Sequence, residues 1–470
     1  MKRTSTSAQK RAHQSNAPWF PALARAVGKD RASREPGILD AHAGDSWFAS
    51  HRPQAVVFAE STSDVARTLR FASLRKVPVT ARGAGCGYVG GCVPSRGGIV
   101  VSTARMNRIL EIDPADGVAV VEPAVITAQL QAAVRERGLF YPPDPASLDE
   151  CFIGGNIATN AGGPRCLKYG VTRQYVLGLE VVLADGSPIR VGGRTLKNKT
   201  GYDLVGLFVG SEGTLGIVTQ ATLRLLPHPP ARAVLSAVFP DARAAGAAAM
   251  AVFARGVLPS ALEIADRFTL DAARRRFGAG AVPPGDAHML LQFDGLPEAV
   301  AAECRCSRAA LESSGATSIE SADDEERCEQ LWTLRREFSP SLKATGLKKL
   351  NEDIVVPRGR IADLFAFAES LQQRYGLAVA CFGHAGDGNI HTNVMYDPGD
   401  ERSAAKTGRV LDDLFDRVLA WGGAITGEHG IGLAKKRWWP RALSPRVRRL
   451  HAELKAALDP SGILNPGKFV

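Results

Sequence analysis

The chain has 470 residues, of which 45% are hydrophobic and 23% charged, so it can bury the cores of roughly two or three domains and is not disordered as a whole. Its formal net charge is +10. The basic residues fall in small separate groups such as Arg274–Arg276 and are not interleaved with aromatic residues, which argues against a nucleic-acid-binding protein. No apolar stretch approaches the roughly 18 residues of a membrane-spanning helix, which excludes an integral membrane protein.

The N-terminus and the cysteines bear on the cellular compartment. Residues 1–16 contain four basic residues, no acid and no apolar segment, so they are not a secretory signal. They predict a flexible basic tail, with a mitochondrial transit peptide as the alternative. The eight cysteines include no CxxC pair, which is typical of reduced thiols in a cytosolic protein. We therefore expect a cytoplasmic protein, or a mitochondrial one in a eukaryote.

From Pro53 onward, short strands alternate with helices, which predicts an α/β or α+β sheet domain. The predicted strands are residues 55–58, 77–80, 99–102, 118–122, 179–183 and 189–191, and the predicted helices are residues 65–74 and 127–137. The sequence Ala184-Asp-Gly-Ser187 predicts a hairpin turn between the last two strands. The proline cluster at residues 227–230 marks the predicted end of this domain.

A second domain is predicted after the proline cluster. Strands at residues 233–239 and 287–293 alternate with helices at residues 242–253 and 298–314, which indicates an α+β cap with an antiparallel sheet. A last helix is predicted at residues 446–458. The predicted organisation is a lead-in (1–52), an N-terminal ligand-binding domain (53–230), a cap (231–440) and a C-terminal segment (441–470) that returns to the N-terminal domain.

Two glycine-rich stretches are the first sign of ligand chemistry. Arg82-Gly-Ala-Gly-Cys-Gly-Tyr-Val-Gly-Gly91 follows a predicted strand, and its glycines allow positive φ and let consecutive backbone amides surround a pyrophosphate. Its spacing is not that of a Rossmann fingerprint. Phe152-Ile-Gly-Gly-Asn-Ile-Ala-Thr-Asn-Ala-Gly-Gly-Pro164 and Gly210-Ser-Glu-Gly-Thr-Leu-Gly-Ile-Val218 follow. Together they predict one long ligand lying along the sheet.

In this order, the motifs resemble those of the FAD-linked oxidase superfamily of vanillyl-alcohol oxidase and p-cresol methylhydroxylase, and within it the D-lactate, glycolate and D-2-hydroxyglutarate dehydrogenases. The resemblance covers about residues 53–470. It implies a two-domain α+β FAD-binding flavoprotein with an antiparallel-sheet cap. The FAD-contacting positions that it implies are Arg82, Gly83, Ala84, Gly85, Cys86, Gly87, Gly90, Gly91, Pro143, Asp144, Ser147, Gly154, Gly155, Asn156, Ala158, Thr159, Asn160, Gly162, Gly163, Tyr169, Gly170, Glu212, Gly216, Ile217 and Val218.

Some relatives attach FAD through a histidine in the first glycine loop. No histidine lies between His51 and His228 here, so the resemblance implies non-covalent FAD. Cys86 in that loop is interpreted as a small packing residue.

Two C-terminal motifs contain three of the nine histidines. His384 and His391 flank Asp387-Gly388, a predicted hairpin turn that would bring the two imidazoles together, and Glu428 precedes His429 in the second motif. Two histidines and a carboxylate suit a divalent ion such as zinc, iron, cobalt or nickel. In the related dehydrogenases the matching residues hold a zinc-type ion, which implies that His384, His391 and Glu428 are ligands and that His429 is the catalytic base.

The expected substrate-binding residues are Arg335, Ser339, Asn393 and His429. Arg335 matches the carboxylate-binding arginine of the family, and Ser339 matches a hydroxyl-bearing position one helical turn later. Asn393 shares a strand face with His391. In the D-2-hydroxyglutarate enzymes, a lysine that lies two residues before the aspartate matching Asp353 binds the distal carboxylate of the substrate. Here that position is Asn351, and Lys348 and Lys349 are out of register, which favours a monocarboxylate such as D-lactate or glycolate.

The predicted activity is oxidation of a D-2-hydroxy acid to a 2-oxo acid, with hydride transfer to FAD assisted by the metal ion. A quinone, a cytochrome or an electron-transfer flavoprotein would accept the electrons, with peripheral membrane contact and a homodimer as further expectations. The alternatives are the FAD subunit of a multi-subunit glycolate oxidase and a D-2-hydroxyglutarate dehydrogenase. A basic nucleic-acid-binding protein with a decayed flavin fold is a third, and the intact motifs argue against it.

Overall fold

A small sheet, parallel except at one edge, opens the described part of the chain, which covers residues 17–470 of the computed structural model. Residues 1–16, with the predicted basic tail or transit peptide, lie outside it. Its strands are β1 (Ala32–Ser33), β2 (Ala55–Phe58), β3 (Val79–Arg82) and β4 (Ile99–Ser102), and its helices are α1 (Phe20–Val27), α2 (Pro36–Ala41) and α3 (Thr62–Arg75). The spatial order is β1-β2-β4-β3, with β2 and β3 parallel to β4.

Helix α3 connects β2 to β3 and shows how the sequence sets these boundaries. The Ser61 side chain accepts a hydrogen bond from the amide of Asp64, and Asp64 lies in the first turn, where an acidic side chain is favoured. Val65 and Leu69 are four residues apart and fully buried on one face. The helix predicted at residues 65–74 is thus confirmed, with one more turn at its start.

A second, antiparallel sheet of five strands follows, in the order β5-β6-β10-β8-β9. The elements of this part are β5 (Ile109–Asp113), β6 (Val118–Val121), α4 (Thr127–Arg135), β7 (Leu139–Phe140), α5 (Ile153–Thr159), α6 (Cys166–Tyr169), a 3-10 turn (Thr172–Tyr175), β8 (Val176–Val182), β9 (Pro188–Gly192), α7 (Leu204–Phe208), β10 (Ile217–Arg224) and β11 (Leu226–Pro227). The β8–β9 hairpin is the predicted one. The second glycine stretch, predicted as a loop, instead contains α5, because Ile153 and Ile157 bury the same helical face.

The second half of the chain forms a seven-stranded antiparallel sheet in the order β15-β12-β14-β13-β17-β18-β16. Its strands are β12 (Ala231–Phe239), β13 (Ala261–Ala265), β14 (Ala287–Gly295), β15 (Ser318–Ala322), β16 (Lys348–Val355), β17 (Ala378–His384) and β18 (Asn389–Tyr396). The accompanying helices are α8 (Ala242–Ala254), α9 (Arg267–Phe277), α10 (Pro297–Ser313), α11 (Glu325–Arg336), α12 (Phe338–Lys343), α13 (Ile361–Tyr375) and α14 (Glu401–Ala420), with 3-10 turns at Ala279–Ala281 and Arg358–Arg360. This sheet is the predicted antiparallel cap.

The predicted helix that carries Arg335 and Ser339 is divided into two helices in the structure. The sequence predicts a continuous helix from Leu331 to Ser339, but α11 ends at Arg336 and α12 begins at Phe338. Pro340 has no amide hydrogen to donate to the carbonyl of Arg336, so the helical ladder breaks there. Glu337, the one residue between the two helices, keeps a right-handed helical backbone with φ −80° and ψ −6°, so the expectation that Ser339 lies one helical turn after Arg335 stays a prediction.

The C-terminal segment packs against the first sheet. It contains α15 (Trp439–Ala442) and α16 (Pro445–Leu458), followed by an extended tail. The amide of Val79 donates to the carbonyl of Ile463 at 2.8 Å, and the amide of Asn465 donates back to Val79 at 2.7 Å. Among residues 17–470, no helix has the length and apolar character needed to cross a membrane.

Candidate active site

A cavity of about 440 Å³ lies between the glycine loops of the N-terminal half and the last histidine motif. Most of the predicted FAD positions line it: Arg82, Gly83, Ala84, Gly85, Cys86, Gly87, Gly91, Ser147, Gly154, Gly155, Asn156, Ala158, Thr159, Gly162, Glu212, Gly216, Ile217 and Val218. Glu428 and His429 line the same cavity. The structure thus brings the two predicted chemistries, cofactor binding and the histidine motif, to one place.

The structure does not place the remaining predicted FAD positions in the lining of this cavity. They are Gly90, Pro143, Asp144, Asn160, Gly163, Tyr169 and Gly170, and none is part of its lining. The buried Asp144 carboxylate accepts the amide of Arg165 at 3.2 Å, and burial raises its pKa to about 7. The Tyr169 hydroxyl donates to Asp294 of the cap at 2.8 Å. The side chains of Asp144 and Tyr169 are thus hydrogen-bonded to other parts of the protein.

The lining fits a large anionic ligand such as FAD. Ala84 and Gly85 in the first glycine loop make no hydrogen bond to any other described residue, so their amides are available to an anion. A Cβ atom added to Gly155 would meet no protein atom within 4 Å. Protein packing therefore does not require glycine at 155, whereas a ligand lying against the backbone there would.

Three of the predicted metal ligands converge beside this cavity. His384, His391 and Glu428 each place a ligand atom within 4.8 Å of the other two. His384 Nε2 lies 3.0 Å from a Glu428 carboxylate oxygen. Burial lowers the pKa of His391 to about 3, so its imidazole is neutral, and its buried Nδ1 has no hydrogen-bond partner. A neutral imidazole with an unpartnered nitrogen beside a carboxylate fits a divalent cation.

The sheet explains why these groups meet. His384 and His391 lie on β17 and β18, which are joined by the predicted turn at Asp387-Gly388, and Gly388 has a φ of +90°. Directly opposed residues of antiparallel strands share a face. Glu263 on β13 opposes His384, and Asp353 on β16 opposes His391, so the same face carries all four side chains.

Glu263 is a buried acid that the sequence analysis missed. One of its carboxylate oxygens accepts His384 Nδ1 at 2.6 Å, and the other accepts Arg335 Nε at 2.5 Å. Burial alone would raise the pKa of Glu263, but the positive charges of Arg335 and His384 outweigh it and lower the pKa to about 2. A charged residue in the middle of the otherwise apolar strand Ala-Leu-Glu-Ile-Ala is the sequence feature that could have revealed Glu263 as a functional residue. With Nδ1 held by this carboxylate, His384 Nε2 faces Glu428.

Asp353 organises the loop that carries Glu428 and His429. Its Oδ2 accepts the amides of Gly427, Glu428 and His429 at 2.9 to 3.0 Å, together with the Thr426 hydroxyl. Burial raises the pKa of Asp353, but His429, Lys435 and these donors outweigh it, so the pKa lies well below its usual range. His429 Nδ1 is 4.0 Å from the same carboxylate, and its ring stacks on His391 at 5.7 Å.

The comparisons with known proteins agree with this arrangement. Residues 53–192 match the family described as FAD binding domain, and residues 228–469 match FAD linked oxidases, C-terminal domain. The chain belongs to the FAD-linked oxidases. It is 39% identical to the glycolate oxidase subunit GlcD of Bacillus subtilis, covering 89% of each chain, and 38% identical to a D-lactate dehydrogenase of Archaeoglobus fulgidus, covering 88% of this chain and 91% of that one.

Two solved structures share the fold of this FAD-linked oxidase. The 4-ethylphenol oxidase of Gulosibacter chungangensis superposes with a TM-score of 0.78 over 100% of this chain and 98% of that one, at 23% identity. A p-cresol methylhydroxylase superposes with a TM-score of 0.74 over 99% and 97%, at 19% identity. The predicted vanillyl-alcohol oxidase type of fold is confirmed, and the chain is an FAD-linked oxidoreductase.

Glu212 joins the two halves of this FAD-linked oxidase. Its two carboxylate oxygens accept the amides of Ile431 and Gly432 at 2.7 and 2.8 Å. Burial raises the pKa of Glu212, and the two amides partly offset that effect. The sequence predicted Glu212 as an FAD contact. The side chain does line the cavity, but both of its oxygens are engaged by the loop that follows His429.

The predicted substrate residues lie on and beside the same sheet face. Asn393 is fully buried, and its side-chain amide donates to the carbonyls of Ala380 and His391. The Arg335 guanidinium lies 5.0 Å from the Phe382 ring, with its Nε bound to Glu263. Ser339 accepts a hydrogen bond from Lys349 Nζ at 2.7 Å. Lys349, interpreted from the sequence as out of register, is thus a partner of a predicted substrate residue.

Proposed function

We propose that this FAD-linked oxidase oxidises a D-2-hydroxy acid to the corresponding 2-oxo acid. The observation that carries the proposal is the position of the His384, His391 and Glu428 cluster next to His429, at one end of the cavity lined by the glycine loops. The relatives named D-lactate dehydrogenase and glycolate oxidase subunit support the same substrate class. Asn351, at the position of the family's lysine, favours a monocarboxylate such as D-lactate or glycolate.

The residues have separable roles in the proposed reaction. His429 takes the hydroxyl proton at Nε2, because its Nδ1 faces Asp353. Arg335 binds the carboxylate, and Glu263 keeps His384 oriented. Both side-chain amide hydrogens of Asn393 are donated to the carbonyls of Ala380 and His391, so Asn393 offers the substrate its acceptor oxygen and not a donor. A divalent ion held by His384, His391 and Glu428, for which zinc is our choice, would lower the pKa of the substrate hydroxyl. Non-covalently bound FAD would supply the acceptor for the hydride from C2.

The experiment is an anaerobic absorbance titration of the purified protein with D-lactate and D-2-hydroxyglutarate, using the L enantiomers as controls. Bleaching of the flavin band by a D enantiomer alone supports the cofactor, the substrate class and the stereochemistry together. A yellow protein that none of these acids bleaches contradicts the proposed reaction. A colourless protein that takes up no added FAD contradicts the cofactor assignment.

A second candidate is the FAD subunit of a multi-subunit glycolate oxidase. The observation that favours it is that two of the relatives are themselves named as subunits of glycolate oxidase. In the part of the chain that the structure describes, the cysteines are all free and no cysteine-rich metal cluster occurs, so onward electron transfer would need an external acceptor or partner. Turnover with glycolate and an artificial dye, but not with a soluble quinone, would favour this candidate.

A further inference from the structure

Two buried side-chain oxygens beside the metal cluster accept no hydrogen bond. They are Oδ1 of Asn351 and Oδ1 of Asn393, and no donor of residues 17–470 reaches either of them. The orientation of the Asn393 amide is fixed, because its Nδ2 donates to the carbonyls of Ala380 and His391. Buried polar atoms are rarely left without a partner unless a ligand or water supplies it. The two oxygens therefore call for a donor that the described chain does not provide.

The register of the cap sheet places the two asparagines together and next to the metal cluster. Asn351 on β16 is directly opposite Asn393 on β18, and Asp353 is directly opposite His391. Because alternate residues share a face of the sheet, both asparagines lie on the face that carries His391. They are one step of two residues, about 6.8 Å, further along the strands. A group bound at the metal ligands thus has the unpartnered oxygens beside it.

The strand order determines which part of the substrate points towards these oxygens. Arg335, the proposed carboxylate ligand, is held by Glu263 on β13. The strands follow the order β13-β17-β18-β16, and the two histidine ligands lie on β17 and β18 between the outer two. An acid with its carboxylate at Arg335 and its 2-hydroxyl at the metal cluster therefore extends its remaining carbon atoms towards β16 and the asparagines.

The chemistry of this face selects a neutral hydrogen-bond donor. An acceptor oxygen cannot bind a second carboxylate, which offers only acceptors. A tail with an ammonium group would donate, but Lys349, the next residue of β16 on this face, is itself a cation whose Nζ donates to Ser339. Like charges disfavour a second ammonium there. An alkyl tail would leave both oxygens without a donor. A hydroxyl group meets none of these conflicts.

We propose that Asn351 and Asn393 accept hydrogen bonds from a hydroxyl group on the tail of the substrate, so that the preferred substrate is a D-2-hydroxy monocarboxylate with a further hydroxyl on C3 or C4. The inference rests on the proposed function and deepens it by naming the substrate class. The two asparagines determine specificity for the tail. Arg335, the metal cluster and His429 act on C1 and C2 as described above.

The test compares pairs of D acids in which a terminal hydroxyl replaces a methyl group. One pair is D-glycerate and D-2-hydroxybutyrate, and the other is D-2,4-dihydroxybutyrate and D-2-hydroxyvalerate. The acids of a pair have the same number of heavy atoms and the same charge. In the wild-type protein, kcat/KM for flavin reduction should be at least about tenfold higher for the hydroxylated acid of at least one pair, since the alkyl tail leaves buried acceptors unpaired.

Variants of β16 show whether the asparagine causes this preference. Asn351→Leu should reduce the ratio of the two kcat/KM values by about tenfold, because leucine has a similar size and no acceptor. Asn351→Asp should retain the preference, because it keeps an acceptor oxygen and its charge acts on both acids of a pair alike. Lys348→Met is the matched control, since the Lys348 ammonium lies on the opposite face, 5.4 Å from the Phe48 ring. Its ratio should equal that of the wild-type protein.

Equal kcat/KM values within both pairs in the wild-type protein would overturn the inference and leave the proposed function intact. An unchanged ratio in Asn351→Leu, or the same loss in Lys348→Met, would also overturn it. If none of the four acids reduces the flavin, the proposed function fails and the inference fails with it. The two failures are therefore distinguishable in one set of titrations.

Discussion

The Asp353 carboxylate lies 3.0 Å from the backbone amide nitrogen of His429 and 4.0 Å from its Nδ1. One buried side chain on β16 thus holds both the backbone and the imidazole of the proposed base. Because Asp353 also opposes His391 in the sheet, it fixes the distance between the loop and the strand that supply the metal ligands.

Asp353→Asn should retain FAD and lose most flavin reduction. Asparagine keeps one oxygen for the donors that Oδ2 binds, but it removes the charge that faces His429 and Lys435 and places an NH2 group against Asn389 Nδ2, which donates to Oδ1 in the wild-type protein. Breaking such a buried charged network costs about 3 kcal/mol or more of stability. Thermal unfolding and the rate of flavin reduction measure the two effects. Glu352→Gln is the control, because burial already raises the pKa of Glu352 to about 7. Equal losses in both variants would contradict the role of Asp353.

Sequence patterns predicted those parts of the site that depend on local geometry. The turn at Asp387-Gly388 brings His384 and His391 together because a short hairpin allows only one register. The glycine loops were also predicted, because so many small residues in one segment are typical of a backbone that lies directly against a ligand. The predicted metal residues and most of the predicted lining therefore meet in the structure.

Other parts depend on contacts between distant segments, which no local pattern encodes. Glu263 is 121 residues from His384, and Glu212 is 219 residues from Ile431. Strand order decides the first contact, because β13 pairs with β17 only in the assembled sheet.

Glu263→Gln should weaken metal binding and leave FAD content unchanged. The glutamine cannot compensate the charge of Arg335 or orient His384 as a carboxylate does, and loss of such a partner typically lowers metal affinity by about 10-fold to 100-fold. The metal content after dialysis, measured by mass spectrometry, reports the effect. Glu329→Gln on α11 is the control, since its carboxylate is exposed and pairs with Arg336. A metal content equal to that of the control would rule out this role for Glu263.

Glu212→Gln distinguishes a positioning residue from an FAD contact. The variant keeps only one of the two oxygens that bind Ile431 and Gly432, so the loop after His429 loosens and kcat should fall by about tenfold or more. FAD content and the flavin spectrum should not change. Flavin analysis alongside steady-state kinetics separates the alternatives. Loss of FAD with a normal rate for each remaining flavin would support the direct contact predicted from sequence.

His429→Ala should remove most turnover without removing the cofactor. A general base contributes about 10²-fold to 10⁴-fold to such a reaction. Besides its Nδ1, which lies 4.0 Å from Asp353, the ring stacks on His391 and lies 5.5 Å from the Tyr88 ring. Alanine keeps the backbone amide that donates to Asp353, and the glycines on both sides of the Glu428-His429 pair leave the backbone free to retain that hydrogen bond. Stopped-flow flavin reduction measures the loss, and Tyr88→Phe, which keeps the ring contact, serves as the control. Substantial turnover in the alanine variant would show that another group takes the proton, and the neutral His391 would then be the next residue to replace.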